Sequence, residues 1–319
     1  MKVLVFGGTG RTGMCVAQAV LHRGAELLAP GRADCDLADA DAVADYVLAH
    51  PADVVVNCAA ISGLESCADD PLAAHRANAM APAAMALACR HTGARLVHLS
   101  TDYVLDGRKP GMKDESAHCR PEGWYAQSKR EGEQQVLETL PAAIVARVSW
   151  IGGNPVKPGF AENIIKKALA GEPLAAIADK YSMPTDAQDI ARAALDLAAT
   201  DYRGIIHLCS GTGEAGTPLS WWDCAHLALQ HAVSAGALPA LPEITRQQLS
   251  AASFFREPRP RHTAMDNSRL LSLGIPMPTA RQTIAAITAR FLEYAARQGV
   301  SWAEVGRKLG GSWAEVGRK

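Results

Sequence analysis

Lys2-Val3-Leu4-Val5-Phe6-Gly7-Gly8-Thr9-Gly10-Arg11-Thr12-Gly13 is the stretch that decides the fold. The apolar run reads as a buried strand, the glycines as a tight turn, and Met14 to His22 as an amphipathic helix. Strand, glycine turn and helix in that order are the setting of a dinucleotide-binding turn, here spaced Gly7-x-x-Gly10-x-x-Gly13. Gly7 permits the turn, Gly10 lets backbone N–H groups approach a pyrophosphate at the helix N-terminus, and Gly13 lets the helix pack on the strand. Thr9, Arg11 and Thr12 lie in the same turn and are candidate cofactor contacts.

Outward from this unit, strands and helices alternate as in a doubly wound α/β fold with a parallel sheet. Glu26 to Pro30 reads as the second strand, followed by Gly31-Arg32 where an NAD-binding fold usually places an acidic residue. An Arg there suits a 2′-phosphate, so NADP(H) is favoured over NAD(H); a solvated loop residue is the other reading of Arg32. Asp36 and Leu37 would lie near the adenine, unless Asp36 caps the helix that runs to about His50. Asp53 to Cys58 is a continuous apolar strand ending in Asn57-Cys58-Ala59-Ala60, small residues against which a cofactor could lie. Asn78, polar in an Ala-rich helix, is equally a packing hydrogen bond or a site residue.

The fourth strand, Arg95 to Leu99, delivers Ser100-Thr101-Asp102-Tyr103 at its carboxyl end, where open α/β sheets bind ligands. Tyr125 and Lys129 follow, four residues apart and on one face of a helix. An ammonium near a phenol lowers its pKa, and such a Tyr can protonate a developing alkoxide; the Thr101 hydroxyl could bind the same carbonyl oxygen. A fifth strand, Ala142 to Ser149, leads to Trp150, which a Gly/Pro loop would place in a substrate cleft, although a Trp is by default core. Arg256, Arg259 and Arg261 sit in a Pro-rich loop that either holds a pyrophosphate or is merely solvated. Residues 1–150 are thus expected to form the dinucleotide-binding core, and 151–300 the last elements of that domain interleaved with a smaller, mainly helical substrate domain.

Composition excludes other classes. The 32 Lys+Arg balance 33 Asp+Glu, which is no footprint of a nucleic-acid binder. Eight scattered Cys without a Cys-x-x-Cys pair or His/Cys cluster argue against a metal site or disulfide framework and for a reduced, cytoplasmic protein. Pro82 and His91 interrupt the Ala-rich run before it reaches membrane-span length. Met1 leads straight into a strand rather than a signal peptide. Ser301 to Lys308 recurs word for word at Ser312 to Lys319; the last copy is expected to be a tag, cloning scar or local duplication outside the fold.

Taken together, these motifs resemble the extended short-chain dehydrogenase/reductases, and within them the dTDP-4-dehydrorhamnose reductase family of sugar-nucleotide-binding proteins. The resemblance covers about residues 1 to 295. It rests on the glycine turn, Val56-Asn57-Cys58-Ala59-Ala60, Ser100 to Gly107, Tyr125-x-x-x-Lys129, Arg147-Val148-Ser149-Trp150, Pro184-Thr185, and Asp266 to Leu270 ahead of Leu273-Gly274-Ile275. It implies that Tyr125 is the general acid, that Lys129 binds the nicotinamide ribose, that Thr101 polarises the carbonyl, and that Asp102, Tyr103 and Trp150 adjoin the substrate. The implied reaction is hydride transfer from NAD(P)H to the C4 keto group of a nucleotide-linked deoxy-sugar, in an assembly that a homodimer would satisfy. Leu105, Ala126 and Ile151-Gly152 depart from the family's usual Phe, Gly and Val-Tyr, which bears on the cleft lining and the sugar's identity. Tyr103 stands where related dehydratases carry a Glu, which counts against dehydration. The alternatives are a non-catalytic dinucleotide-binding subunit, similar to the regulatory subunit of methionine adenosyltransferase, and a reductase or epimerase of another carbonyl compound.

Overall fold

A computed structural model of the chain describes residues 1–213 and 216–298. The duplicated tail lies outside the described residues. β1 (Lys2–Phe6) turns into α1 (Arg11–His22) and is followed by β2 (Glu26–Leu28), α2 (Ala40–Ala49) and β3 (Val54–Asn57). Val3, Leu4, Val5, Val55 and Val56 are fully buried, because helices cover both faces of the sheet and each strand can therefore be apolar throughout. Asp39, not Asp36, caps α2, accepting from the N–H groups of Asp41 and Ala42; Asp36 closes a turn on Ala38 N at 3.0 Å.

Beyond β3 come α3 (Leu64–Asp69) and α4 (Pro71–His75), a single π-helical turn at Arg76–Met80, α5 (Ala81–Thr92), β4 (Arg95–Thr101), α6 (Gly123–Thr139) and β5 (Ile144–Val148). The chain then leaves the sheet through β6 (Ile151–Gly152), α7 (Phe160–Leu169), β7 (Leu174–Ile177) and β8 (Thr185–Asp186). It returns through α8 (Ala187–Ala198) to β9 (Gly204–His207). The six-stranded sheet has the order β2-β1-β3-β4-β5-β9, with every neighbouring pair parallel. Its winding reverses between β1 and β3, so the crevice for a ligand opens at their carboxyl ends, where Gly7 and Asn57–Ala60 lie.

A second apolar cluster is built from α7, α9 (Trp221–Ser234) and α11 (Ala280–Arg297), with Ile165, Leu229 and Phe291 at its centre. β7 pairs in parallel with β10 (Ile244–Gln247) beside it, and the short α10 (Ser268–Ser272) returns to pack near β9. α8 belongs to the first unit. Its Ala187, Ala191 and Leu195 pack with Val3, Val5 and Val16, at a spacing that keeps one face on the sheet.

α6, which carries Tyr125 and Lys129, is seated on the π-helical turn so closely that a Cβ on Gly132 would lie 2.1 Å from the carbonyl oxygen of Asn78. Backbone cannot yield as a side chain can, so Gly132→Ala is expected to lower stability by about 1–3 kcal/mol. Urea unfolding checks this; an unchanged midpoint would show that the two elements are not locked together.

Candidate active site

The glycine turn is shaped by contacts that tolerate no side chain. Gly7 has φ +76, and a Cβ there would stand 2.7 Å from Ala59 N; on Gly13 it would stand 2.0 Å from Gly7 O. β1 and the end of β3 are thereby brought into backbone contact. Gly10 sits at the N-cap of α1 with no side-chain cap, leaving the first-turn N–H groups to a ligand. These features fit a dinucleotide pyrophosphate. Thr9 is exposed and Thr12 buried in the turn. Arg11, however, faces away from it: its Nε donates to Lys157 O at 2.7 Å and Nη2 to Pro158 O at 2.9 Å, clasping the loop that leads to α7.

Arg32 is exposed after β2 and has no ion pair among the described residues, and Asp36 is exposed too, while Leu37 is half-buried. The nearby Asp34, also exposed, accepts from Gly31 N at 2.8 Å. Cys58 and Ala59 lie beneath the glycine turn, and Ala60 is exposed beside them. Asn57 is buried and bridges Ala59 N and His98 Nδ1, each at 3.0 Å. Asn78 resolves to its structural reading. It exchanges hydrogen bonds with Ile61 N and O at 2.9 Å and donates to Ser128 Oγ at 3.1 Å, so it pins the loop after β3 to α6.

At the carboxyl end of β4 the site comes together. Lys129 is 2 % exposed and donates to Leu99 O at 2.7 Å, with His98 Nε2 3.4 Å away. Tyr125 lies near enough to Thr101 for that hydroxyl to act on its phenol, and its ring lies edge-on to Tyr103 with centroids 5.9 Å apart. Ser100 is buried beside Glu133. Asp102 is buried under a layer of hydroxyls, accepting from Thr263 at 2.6 Å, Ser149 at 3.0 Å and Thr101 at 3.3 Å. Burial pushes its carboxyl up, and the Lys180 ammonium opposes this most strongly.

The electrostatics correct one expectation. Burial pushes the Tyr125 phenol up to about 12, and the Thr101 hydroxyl, not Lys129, is what counters it. Burial likewise brings Lys129 down to about 8 and His98 well below its ordinary value. Tyr125 is therefore a protonated acid across the neutral range, set against Thr101.

The arginine loop is a second correction. Arg256 meets Asp69 with two bonds of 3.0 Å, Arg259 lies 2.8 Å from Glu65, and Arg261 lies 2.8 Å from Asp179. None of the three is left as an unpaired cation. Trp150 is half-buried, not open to solvent: it stacks on Trp221 at 5.1 Å with 4° between the planes and touches Phe160 at 4.8 Å. Sequence reasoning missed Trp221, Lys180 and Thr263, which reach the site from segments without a motif of their own, and gave Ser149 no role although it stands in the Arg147–Trp150 motif. Among the described residues, no His/Cys/Asp/Glu group could hold a metal ion, and no helix is long and apolar enough to cross a membrane.

Behind the site, Arg147 of β5 forms two 2.8 Å bonds to Glu133 of α6, both residues being almost wholly buried. Arg147→Leu would leave that buried carboxylate with only the partly exposed Arg130 and is expected to cost roughly 3–5 kcal/mol. Thermal unfolding measures it, and a loss below 1 kcal/mol would mean that Arg130 alone satisfies Glu133.

The family described as RmlD substrate binding domain matches residues 1–293. A dTDP-4-dehydrorhamnose reductase of Streptomyces griseus is 33% identical over 302 residues, 93% of this chain and 95% of that one. The crystal structure of a dTDP-4-dehydrorhamnose reductase from Clostridium acetobutylicum covers 94% of this chain and all of its own with a TM-score of 0.81 at 24% identity, which shows the fold. So does that of the Bacillus anthracis enzyme in complex with NADP, with a TM-score of 0.80 at 22% identity, covering 92% of this chain and 98% of its own. A parallel sheet of this winding agrees with these matches: the chain belongs to the RmlD family and is an oxidoreductase of the short-chain dehydrogenase/reductase type.

Proposed function

We propose that this chain reduces the C4 keto group of a dTDP-linked 6-deoxy-sugar with NADPH. The observation that carries the reading is the placing of Tyr125 near Thr101 at the end of β4, edge-on to Tyr103 and one helical turn from the buried Lys129. The nicotinamide dinucleotide, when bound, supplies the hydride. Gly7, Gly10 and the uncapped start of α1 would hold its pyrophosphate, and Arg32, with its guanidinium free in solvent, suits the 2′-phosphate of NADPH. The named activity of the Streptomyces griseus relative supports the sugar-nucleotide assignment.

The chain's own residues do three things. Tyr125 gives its proton to the carbonyl oxygen as that oxygen becomes an alkoxide; a phenol at about 12 remains protonated until it is needed. Thr101 directs a hydroxyl at the same oxygen and stabilises the charge that develops. Lys129, fixed on Leu99 O, is positioned to hold the nicotinamide ribose. The second apolar unit, with Trp150 and Trp221 at its edge, forms the substrate side of the cleft, and Tyr103 lines the other wall with Asp102 buried behind it.

Two measurements test this. Incubated with a dTDP-4-keto-6-deoxy-hexose, the protein is expected to consume NADPH, and Tyr125→Phe to lose roughly 10²- to 10⁴-fold in kcat while still binding NADPH. No turnover of any such sugar would remove the assignment. Arg32→Ala is expected to raise KM for NADPH and leave that for NADH unchanged; an equal effect on both would show that Arg32 does not read the 2′-phosphate.

A further inference from the structure

Lys180 is a wholly buried lysine that the proposed mechanism does not use. It follows β7, and its backbone lies between the arginine loop and α9: Trp221 N donates to Lys180 O at 3.1 Å, and Tyr181 N to Arg261 O at 2.8 Å. Its ammonium stands 4.9 Å from the Tyr103 ring centroid and 5.3 Å from that of Trp221, and donates to Pro260 O. No carboxylate among the described residues comes within 4 Å of it. A cation taken out of water needs compensation. Here it comes from two aromatic faces, one carbonyl and the more distant Asp102.

The rings it touches are not isolated. Trp221 stacks on Trp150, and Trp150 packs on Phe160, so one line of contacts runs from Tyr103 through the ammonium to the far wall of the cleft. Trp150 is the one non-glycine residue with positive φ among those described, at +41. A bulky residue persists in that region only where its surroundings over-determine it. The Trp221 stack is such a surrounding, and Trp221 in turn is held by Ser182 Oγ at 3.0 Å and by Lys180.

We propose that Lys180 is a positioning residue of the substrate cleft, whose charge joins Tyr103 on one wall to Trp221 and Trp150 on the other and so holds the aromatic surface that receives the sugar. Because Lys180 has no exposed surface, it acts through these rings and not by touching the substrate. This rests on the sugar-nucleotide reading above. Burial brings its ammonium down to about 8, so the charge is complete below that pH and lost as pH rises through it. The charged groups acting on it are Asp102 at the end of β4 and Arg259 in the arginine loop; Tyr103 and His262 lie within reach of its charge, Asp179 adjoins it in sequence and pairs with Arg261, and on α9 the nearest carboxylate, Asp223, is taken up by Ser220. Lys129, also at about 8, titrates on the cofactor side of the site.

The test uses the whole protein with Lys180→Met and Lys180→Arg. In Lys180→Met the KM for the sugar nucleotide is expected to rise roughly tenfold or more at every pH, kcat to fall by less, and KM for NADPH to stay unchanged. In the wild type the sugar KM rises above about pH 8; in Lys180→Arg, whose guanidinium stays charged, that rise is absent. Near-ultraviolet circular dichroism follows the Trp150–Trp221 stack without turnover, and its signal should weaken above pH 8 in the wild type but not in the Arg variant. A rise that persists in Lys180→Arg belongs to Lys129 or another group and overturns the proposal, as does a sugar KM in Lys180→Met equal to that of the wild type. Should the wild type turn over no sugar nucleotide, the functional reading falls while the dichroism arm still decides the role of Lys180. If the Met variant no longer binds NADPH, the wild-type and Arg comparison decides it.

Discussion

The pairing of Arg147 with Glu133 is the constraint on which the site depends. Two buried charges on adjacent elements fix α6 against β5 in one register, since sliding the helix by a residue would strip Arg147 of its carboxylate in the core and leave Glu133 with Arg130 alone. From that fixed helix Lys129 reaches Leu99 O on β4, and Ser128 accepts from Asn78, so α6 is tied to the sheet and to the π-helical turn at once. Tyr125, one turn away, inherits its place from these anchors. The phenol has no need of a rigid hydrogen bond of its own to be found opposite Thr101.

Burial governs the chemistry of the site more than pairwise charge does. Tyr125, Lys129, Lys180 and Asp102 all move in the direction that disfavours their charged forms. For an acid this is useful: the phenol stays protonated, and the proton leaves only when an oxygen more basic than phenolate is beside it. For the two lysines it means that charge is held marginally, in surroundings that reward neutralisation. The protein spends hydroxyls rather than counter-ions on Asp102, with Thr101, Ser149 and Thr263 all directed at it. Neutral donors stabilise a carboxylate without cancelling its field, so Asp102 continues to act on Lys180 through space.

The parallel sheet was legible in the chain because its strands are short apolar runs ending in glycines or small polar residues, and such runs leave little choice of burial. The Thr101–Tyr125–Lys129 set was legible because helix periodicity and strand ends fix geometry locally. Long-range partners were not. Nothing in the spacing of Lys180 or Trp221 reveals that they converge with Tyr103, because that meeting depends on how α9 and the arginine loop fold back over β7. The expectation that Lys129 would acidify Tyr125 failed for a related reason: helical spacing gives proximity of Cβ atoms, but the long lysine side chain was captured by a carbonyl of the neighbouring strand.

The three arginines show why a cluster in sequence need not be a binding site in space, and also what would have to change for one to become so. Arg256 and Asp69 are both more than half exposed, with side-chain exposures of 62% and 59%, so solvent screens their attraction and a competing dianion could part them at little cost. Arg259 differs. Its side chain is 9% exposed, bonded to Glu65 and seated on the Phe255 ring at 3.8 Å, so moving it would strand a carboxylate and break an aromatic contact together. The loop is therefore hinged in energetic terms: Arg259 anchors it over α3, while Arg256 can be withdrawn from Asp69 without disturbing the anchor.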